Sequence, residues 1–83
     1  MSKEKALCVE QVKYGIQTAK FTVAELGGEG IERLGGQGEF LNRVKENIVS
    51  SLRAYQLNNY AEKVDAVHIH SLDDFDNRVC ELV

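Results

Sequence analysis

The residues with the most distinctive types and spacing are the glycines of the stretch LGGEGIERLGGQG. It runs from Leu26 to Gly38 and holds six of the seven glycines in the chain. A glycine-rich turn that leads into a helix can direct several backbone N–H groups at a phosphate. The candidate ligand-binding residues are then the loop residues Gly35, Gly36, Gln37 and Gly38, with positive charge from Arg33, Arg43 and Lys45.

The same glycines have a simpler explanation as a turn between two helices. The stretch lacks the GxxxxGK[ST] pattern, and Glu29 and Glu32 within it and Glu39 directly after it outnumber its one arginine, Arg33. Gly27 suits the end of one helix, and residues 35–38 suit the turn into the next. We therefore expect a structural turn. The alternative is a phosphate or nucleotide site formed by this loop at a subunit interface.

Cysteine and histidine are too few and too scattered to predict a reactive or metal-binding group. Cys8 and Cys80 lie far apart without a CxxC pair, so free thiols are the default and a disulfide stays open. His68 and His70 would face the same side of a strand, but two ligands do not make a metal site. We expect no catalytic residue, no metal and no cofactor.

The charge distribution limits the kinds of partner. The net charge is −3, and residues 62–83 carry six acidic side chains against two basic ones. No basic stripe is present, so we expect no direct binding to nucleic acid. No apolar run approaches the roughly 18 residues that span a bilayer, and the first residues lack a secretion signal. We expect a cytoplasmic protein that does not bind membranes.

The first 26 residues predict a helix with two apolar faces. One stripe has alternating spacings of three and four residues and consists of Val9, Val12, Ile16, Ala19, Val23 and Leu26. A second stripe, spaced by sevens, points roughly the opposite way and consists of Leu7, Tyr14 and Phe21. If the first stripe packs on the rest of the chain, the second needs a partner. We expect it to be the interface of a homo-oligomer, a dimer or larger.

The remaining segments also have helical spacing. A second helix is predicted from Glu39, continuing with a bend to about Asp65. Residues 67–70 alternate and could form a short extended segment. A C-terminal helix is predicted from the capping box of Ser71 and Asp74, with an apolar stripe formed by Leu72, Phe75, Val79 and Leu82. The expected fold is one all-α domain, residues 1–83: an antiparallel helical hairpin joined by the glycine-rich turn, plus a short C-terminal helix.

The function expected from these features is binding rather than catalysis. The chain offers interaction surface and no reactive constellation, as would suit a small regulator, inhibitor or adaptor of another protein, a type common among bacteriophage accessory proteins. The candidate partner-binding surface is the acidic C-terminal helix, with Asp73, Asp74, Asp76 and Glu81, which suits a basic partner. The competing expectation is the small-ligand site in the glycine-rich loop.

Overall fold

The computed structural model describes residues 2–82, without the side chains of residues 80 and 82. Within that range it contains four helices and no strand: α1 (Lys3–Arg33), α2 (Gln37–Ala54), α3 (Asn58–Asp65) and α4 (Leu72–Leu82). The all-α class is thereby confirmed. Residues 67–70 belong to the irregular connection between α3 and α4. The Cys80 thiol and the contribution of Leu82 to the C-terminal stripe lie outside the described side chains.

None of the helices in residues 2–82 is long and apolar enough to cross a membrane.

Helix α1 begins at an N-cap and buries part of its predicted stripe. The Ser2 hydroxyl accepts a hydrogen bond from the Lys5 N–H at 3.1 Å, which satisfies one free donor of the first turn. The buried side chains of its first six turns are Cys8, Val12, Ile16 and Ala19. The stripe is not buried over its whole length, because Val23 and Leu26 are exposed.

A kink at Gly27 divides α1. This residue has φ 69° and ψ −179°, a combination that essentially only glycine adopts. The first helical stretch of α1 therefore ends at this kink, where its end was predicted, and a second, short helical stretch follows and runs to Arg33. The stretch of six glycines is therefore not one loop: part of it is helical, and only residues 34–36 connect α1 to α2.

The end of α1 is closed by two hydrogen bonds of the Schellman type. The Gly35 N–H donates to the Glu32 carbonyl and the Gly36 N–H to the Ile31 carbonyl, both at 3.1 Å. Gly35 has φ 111°, which favours glycine. Helix α2 then starts at Gln37, two residues before the predicted Glu39. The antiparallel course of α1 and α2 remains a prediction.

The predicted continuous helix from residue 39 to 65 is wrong, because the chain turns after Ala54. Gln56 has φ 62° and its N–H donates to the Arg53 carbonyl at 2.9 Å. The Leu57 N–H donates to the Leu52 carbonyl at 2.8 Å. These bonds form a second Schellman turn, and α3 begins at the next residue.

The core lies where the four helices meet. Helix α2 contacts α1 and α3, and α4 contacts α1 and α3. The largest fully buried side chains come from every helix and are Phe75, Ile48, Leu52, Val12, Val64, Val79 and Cys8. Gly15 allows a close approach of α1 and α2, since a Cβ there would lie 2.5 Å from Cγ1 of Ile48. Of the predicted C-terminal stripe, Phe75 and Val79 are buried and Leu72 is half-buried.

Candidate functional site

A cleft of about 450 Å³ opens where α1 kinks, α2 begins and α4 begins. Its apolar lining consists of Val23, Ile31, Phe40, Leu41 and Leu72. Its polar lining consists of Lys20, Glu32, Gln37, Ser71 and Asp73, and the backbone of Gly27 and Gly28 completes it. Residues of α1, α2 and α4 therefore form one concave surface, on which apolar side chains lie together with three charged ones.

The cleft forms because the apolar stripe of α1 extends further along the helix than the side chains that bury it. Val12, Ile16 and Ala19 are buried, but Val23 on the same stripe is 38% exposed and Leu26 is 43% exposed. Gly27 adds no side chain here, and an added Cβ would meet nothing within 4 Å. The stripe predicted from the sequence thus ends in open space rather than in the core, which leaves apolar surface available for another molecule.

An ion pair connects two helices beside the cleft. The Lys20 Nζ lies 3.0 Å from Oδ1 of Asp73, so α1 and α4 are linked at this point. Both side chains are largely exposed, and such pairs contribute at most about 1 kcal/mol to stability. Glu32 adds a second carboxylate to the lining. With two carboxylates and one lysine, the cleft carries a net negative charge.

The other predicted partner-binding carboxylates of α4 differ in their surroundings. Oδ2 of Asp74 lies 3.0 Å from Nε of Arg78 one turn later. The backbone N–H of Asp74 donates to the Ser71 hydroxyl at 3.1 Å, which is one of the two hydrogen bonds of the predicted capping box. Asp76 is half-buried and Glu81 is exposed. Two of the four predicted carboxylates, Asp73 and Asp74, are therefore already paired within the chain.

The residues predicted for a phosphate site are held by other contacts. The N–H groups of Gly35 and Gly36 donate to carbonyls of α1. Arg43 pairs with Glu39 at 3.5 Å, and the Lys45 ammonium donates to the carbonyl of Asp65 at 3.0 Å. Lys45 thus stabilises the C-terminal end of α3.

The remaining members of the predicted phosphate site are spread out. Gln37 lines the cleft, whereas Gly38 lies in the first turn of α2 and Arg33 is an exposed residue of the last turn of α1. Lys20, which the sequence reasoning did not select, is the cation on the cleft lining. Lys20 precedes Val23 by three residues on α1, so both lie on the same side of the helix, and this spacing is the one signal that could have suggested Lys20.

The predicted oligomer stripe lies mostly on the outside of α1. Tyr14 is 70% exposed and Phe21 is 66% exposed, and they are the most exposed large apolar side chains in the described part of the chain. Leu7 is half-buried and packs partly against the core. The stripe therefore presents two aromatic rings and part of a leucine to solvent.

The Cys8 thiol and the imidazoles of His68 and His70 do not form a reactive site among the described side chains. Burial raises the pKa of the Cys8 thiol, with Lys63 opposing the shift, so this thiol stays protonated and unreactive near neutral pH. The His68 and His70 rings meet edge to face at 4.6 Å between centroids. No group of three potential ligands is placed to hold a metal ion in the described residues.

Comparisons with protein-family models, with curated proteins and with solved structures find no match to this chain. Its function therefore has to be argued from the cleft and from the exposed face of α1.

Proposed function

We propose that this chain is a small, non-enzymatic, intracellular protein that binds and regulates another protein as an inhibitor or adaptor, and that it acts as a homo-oligomer. In this proposal α1 and α2 form an antiparallel hairpin, and the cleft beside the Gly27 kink holds a segment of the partner. The observation that carries it is the exposed end of the α1 stripe, where Val23 lines a cavity of about 450 Å³ and Leu26 is exposed one turn further along the helix. Apolar side chains grouped at a concave surface are typical of binding sites.

The chemistry of the cleft favours a partner segment that is both apolar and basic. Val23, Phe40 and Leu72 offer apolar contacts. Glu32 and Asp73 offer carboxylates, and complementary charge across an interface selects the partner and speeds association. The acidic helix α4 starts at the cleft, so Asp74, Asp76 and Glu81 extend the negative surface away from it. An amphipathic segment with lysine or arginine on one side would match both features.

Affinity capture from the source cells with matched variants tests this site. Val23→Asp places a charge on the apolar lining, and Asp73→Lys reverses a lining carboxylate. Tyr55→Asp is the control, because Tyr55 is also exposed but lines a different hollow, with Asn58 and Tyr60. A specific partner should be retained by wild type and Tyr55→Asp and lost by the other two variants. With the purified partner, the dissociation constant should rise at least about tenfold.

The result that contradicts the cleft is a partner that Val23→Asp and Asp73→Lys bind as tightly as wild type. Both variants should keep the helical circular dichroism of wild type, because both positions are exposed. Loss of binding together with loss of helix would call for the milder changes Val23→Ser and Asp73→Asn. These variants remove the same contacts without adding a new charge.

Self-association has its own test, because the exposed rings of Tyr14 and Phe21 support it independently of the cleft. Gel filtration with light scattering should give a mass of two or more chains at tens of micromolar protein. Phe21→Glu should shift the mass to that of one chain, whereas Tyr55→Glu should not. A wild-type chain that is monomeric at that concentration contradicts the homo-oligomer and leaves the cleft proposal standing.

A small-ligand protein is the second candidate, and the size of the cleft is the observation that favours it. Pockets for small molecules commonly measure about 300–1,000 Å³, and Lys20 with Gln37 would supply polar contacts. A nucleotide or phosphorylated metabolite at 100 times its dissociation constant should then stabilise the fold by about 2.7 kcal/mol in a thermal-shift screen. If Lys20→Ala or Gln37→Ala abolishes such a shift, this candidate replaces the first.

A further inference from the structure

Five residues of α1 lie along one line on its outer face. With 3.6 residues per turn, Lys3, Leu7, Tyr14, Phe21 and Glu25 fall within an arc of about 40° around the helix axis. The buried stripe points roughly the other way, so this line faces away from the core. Its two charged ends are exposed, as are both aromatic rings, and Leu7 is half-buried. The line precedes the Gly27 kink and therefore follows one regular stretch of helix.

This line is symmetric in chemistry about Tyr14. Leu7 precedes Tyr14 by seven residues and Phe21 follows it by seven, so an apolar side chain stands at equal distance on each side. Lys3 precedes it by eleven residues and Glu25 follows it by eleven, with opposite charges. At 1.5 Å per residue the line is about 33 Å long.

We propose that two copies of the chain pair along this line with their α1 helices antiparallel and with the two Tyr14 rings together at the two-fold axis. This inference rests on the homo-oligomer of the proposed function and specifies its geometry. In this register Leu7 packs on the partner's Phe21, and Lys3 faces the partner's Glu25, twice in each dimer. A self-complementary surface of this kind is what a closed two-fold dimer requires.

Charge complementarity selects the antiparallel orientation. In a parallel pair each residue would face its own copy, so Lys3 would lie against Lys3, Glu10 against Glu10 and Glu25 against Glu25. Like charges opposed across an interface are destabilising. In the antiparallel register Glu10, four residues before Tyr14, faces the partner's Thr18, four residues after it. No like charges oppose each other along the antiparallel line.

Charge reversal tests the register. Lys3→Glu alone, or Glu25→Lys alone, turns both terminal contacts of the dimer repulsive and should weaken self-association roughly tenfold at low salt. Mixing the two variants should restore it. In a mixed dimer the glutamate introduced in one chain faces the lysine introduced in the other, and the unchanged Glu25 of the first chain faces the unchanged Lys3 of the second. Native mass spectrometry should then show the mixed dimer in excess over both homodimers. A statistical mixture overturns the proposed register.

Disulfide trapping tests the orientation. Under mild oxidation Tyr14→Cys should form a covalent dimer linked through residue 14. Phe21→Cys should not link to itself, since residue 21 would lie about 21 Å from its own copy along the axis. A disulfide needs Cα atoms within about 7 Å. Oxidised wild type controls for links through its own cysteines, and peptide mapping locates each bond.

The outcomes separate this inference from the proposed function. A dimer in which Phe21→Cys links readily to itself is parallel, which overturns the inference and keeps the homo-oligomer. An oligomer that survives Phe21→Glu uses another face, which also overturns the inference. A monomeric wild type overturns both the geometry and the homo-oligomer. The antiparallel geometry is established if Tyr14→Cys forms a disulfide-linked dimer, Phe21→Cys does not, and the mixture of Lys3→Glu with Glu25→Lys restores dimer formation.

Discussion

The turn after α1 and the turn after α2 close their helices with the same pair of backbone hydrogen bonds but with different residues. In both, the first residue with positive φ donates to a carbonyl three residues earlier, and the next residue donates to one five residues earlier. At the first turn both Gly35 and Gly36 have positive φ, whereas at the second turn Gln56 has positive φ and Leu57 does not. The same hydrogen-bond pattern is thus reached once with glycines, which favour positive φ, and once with a residue that does not.

The two turns also differ in their side-chain packing. A Schellman turn is often completed by an apolar contact between the residue after the positive φ and the helix residue five positions earlier. At the second turn those residues are Leu57 and Leu52, and both are buried. At the first turn they are Gly36 and Ile31, so one side chain is missing. The first turn therefore depends on glycine, and the second on burial of two leucines that offsets the strain at Gln56.

The largest expected effect comes from removing the packing at the second turn. Leu52 is fully buried, so Leu52→Ala should destabilise the fold by about 3–5 kcal/mol. Ile31 lines the open cleft, so Ile31→Ala should cost only about 2 kcal/mol, at the low end for such changes. Urea unfolding followed by circular dichroism measures both. Equal losses would contradict the different roles assigned to packing at the two turns.

The next effect in size comes from removing the glycine at the first turn. Gly35→Ala forces an alanine to φ 111° and should destabilise the fold by about 1–3 kcal/mol. Gly38→Ala is the matched control. It lies inside α2, where an added Cβ meets nothing within 4 Å, so it should stabilise the fold by about 0.5–1 kcal/mol. A Gly35→Ala variant as stable as wild type would mean that the first turn does not depend on glycine.

The contrast between the turns explains which parts of the fold the sequence could predict. A glycine after an apolar helical stripe is a readable stop signal, and a turn was expected at residues 35–38. At the second turn the stop signal is weak: Asn58 and Asn59 follow Gln56 closely, but Leu57 continues the apolar spacing of a helix. The break there depends on Leu52 and Leu57 meeting in the core, which is tertiary information. A helix was consequently predicted through a position where the chain turns.

The cleft was missed for a similar reason. Helical spacing placed Val23 and Leu26 correctly on the same stripe as Ile16, but spacing cannot tell how far the covering helices extend. The kink at Gly27 was expected as a helix end, and its role in leaving the cleft open depends on where α2 and α4 begin. The two aromatic residues of the outer stripe, by contrast, could be recognised from the sequence, because together with Leu7 they recur every seven residues and so fall on one face of α1.

The smallest expected effect is a gain in stability at the second turn. Gln56→Gly relieves a left-handed conformation that costs a side chain about 1–2 kcal/mol. Glycine also makes the unfolded chain more flexible, and this lowers the stability of the fold by about 0.5–1 kcal/mol. The net gain should be about 0.5–1 kcal/mol, or a rise of about 2–8 °C in Tm. Gln17→Gly, at an exposed position within α1, is the control. It should destabilise the fold by about as much as Gln56→Gly stabilises it. Both variants are melted at low protein concentration, so that association does not contribute. If Gln56→Gly were as destabilising as the control, the Gln56 side chain itself would have to stabilise the turn, and the second turn would not be strained.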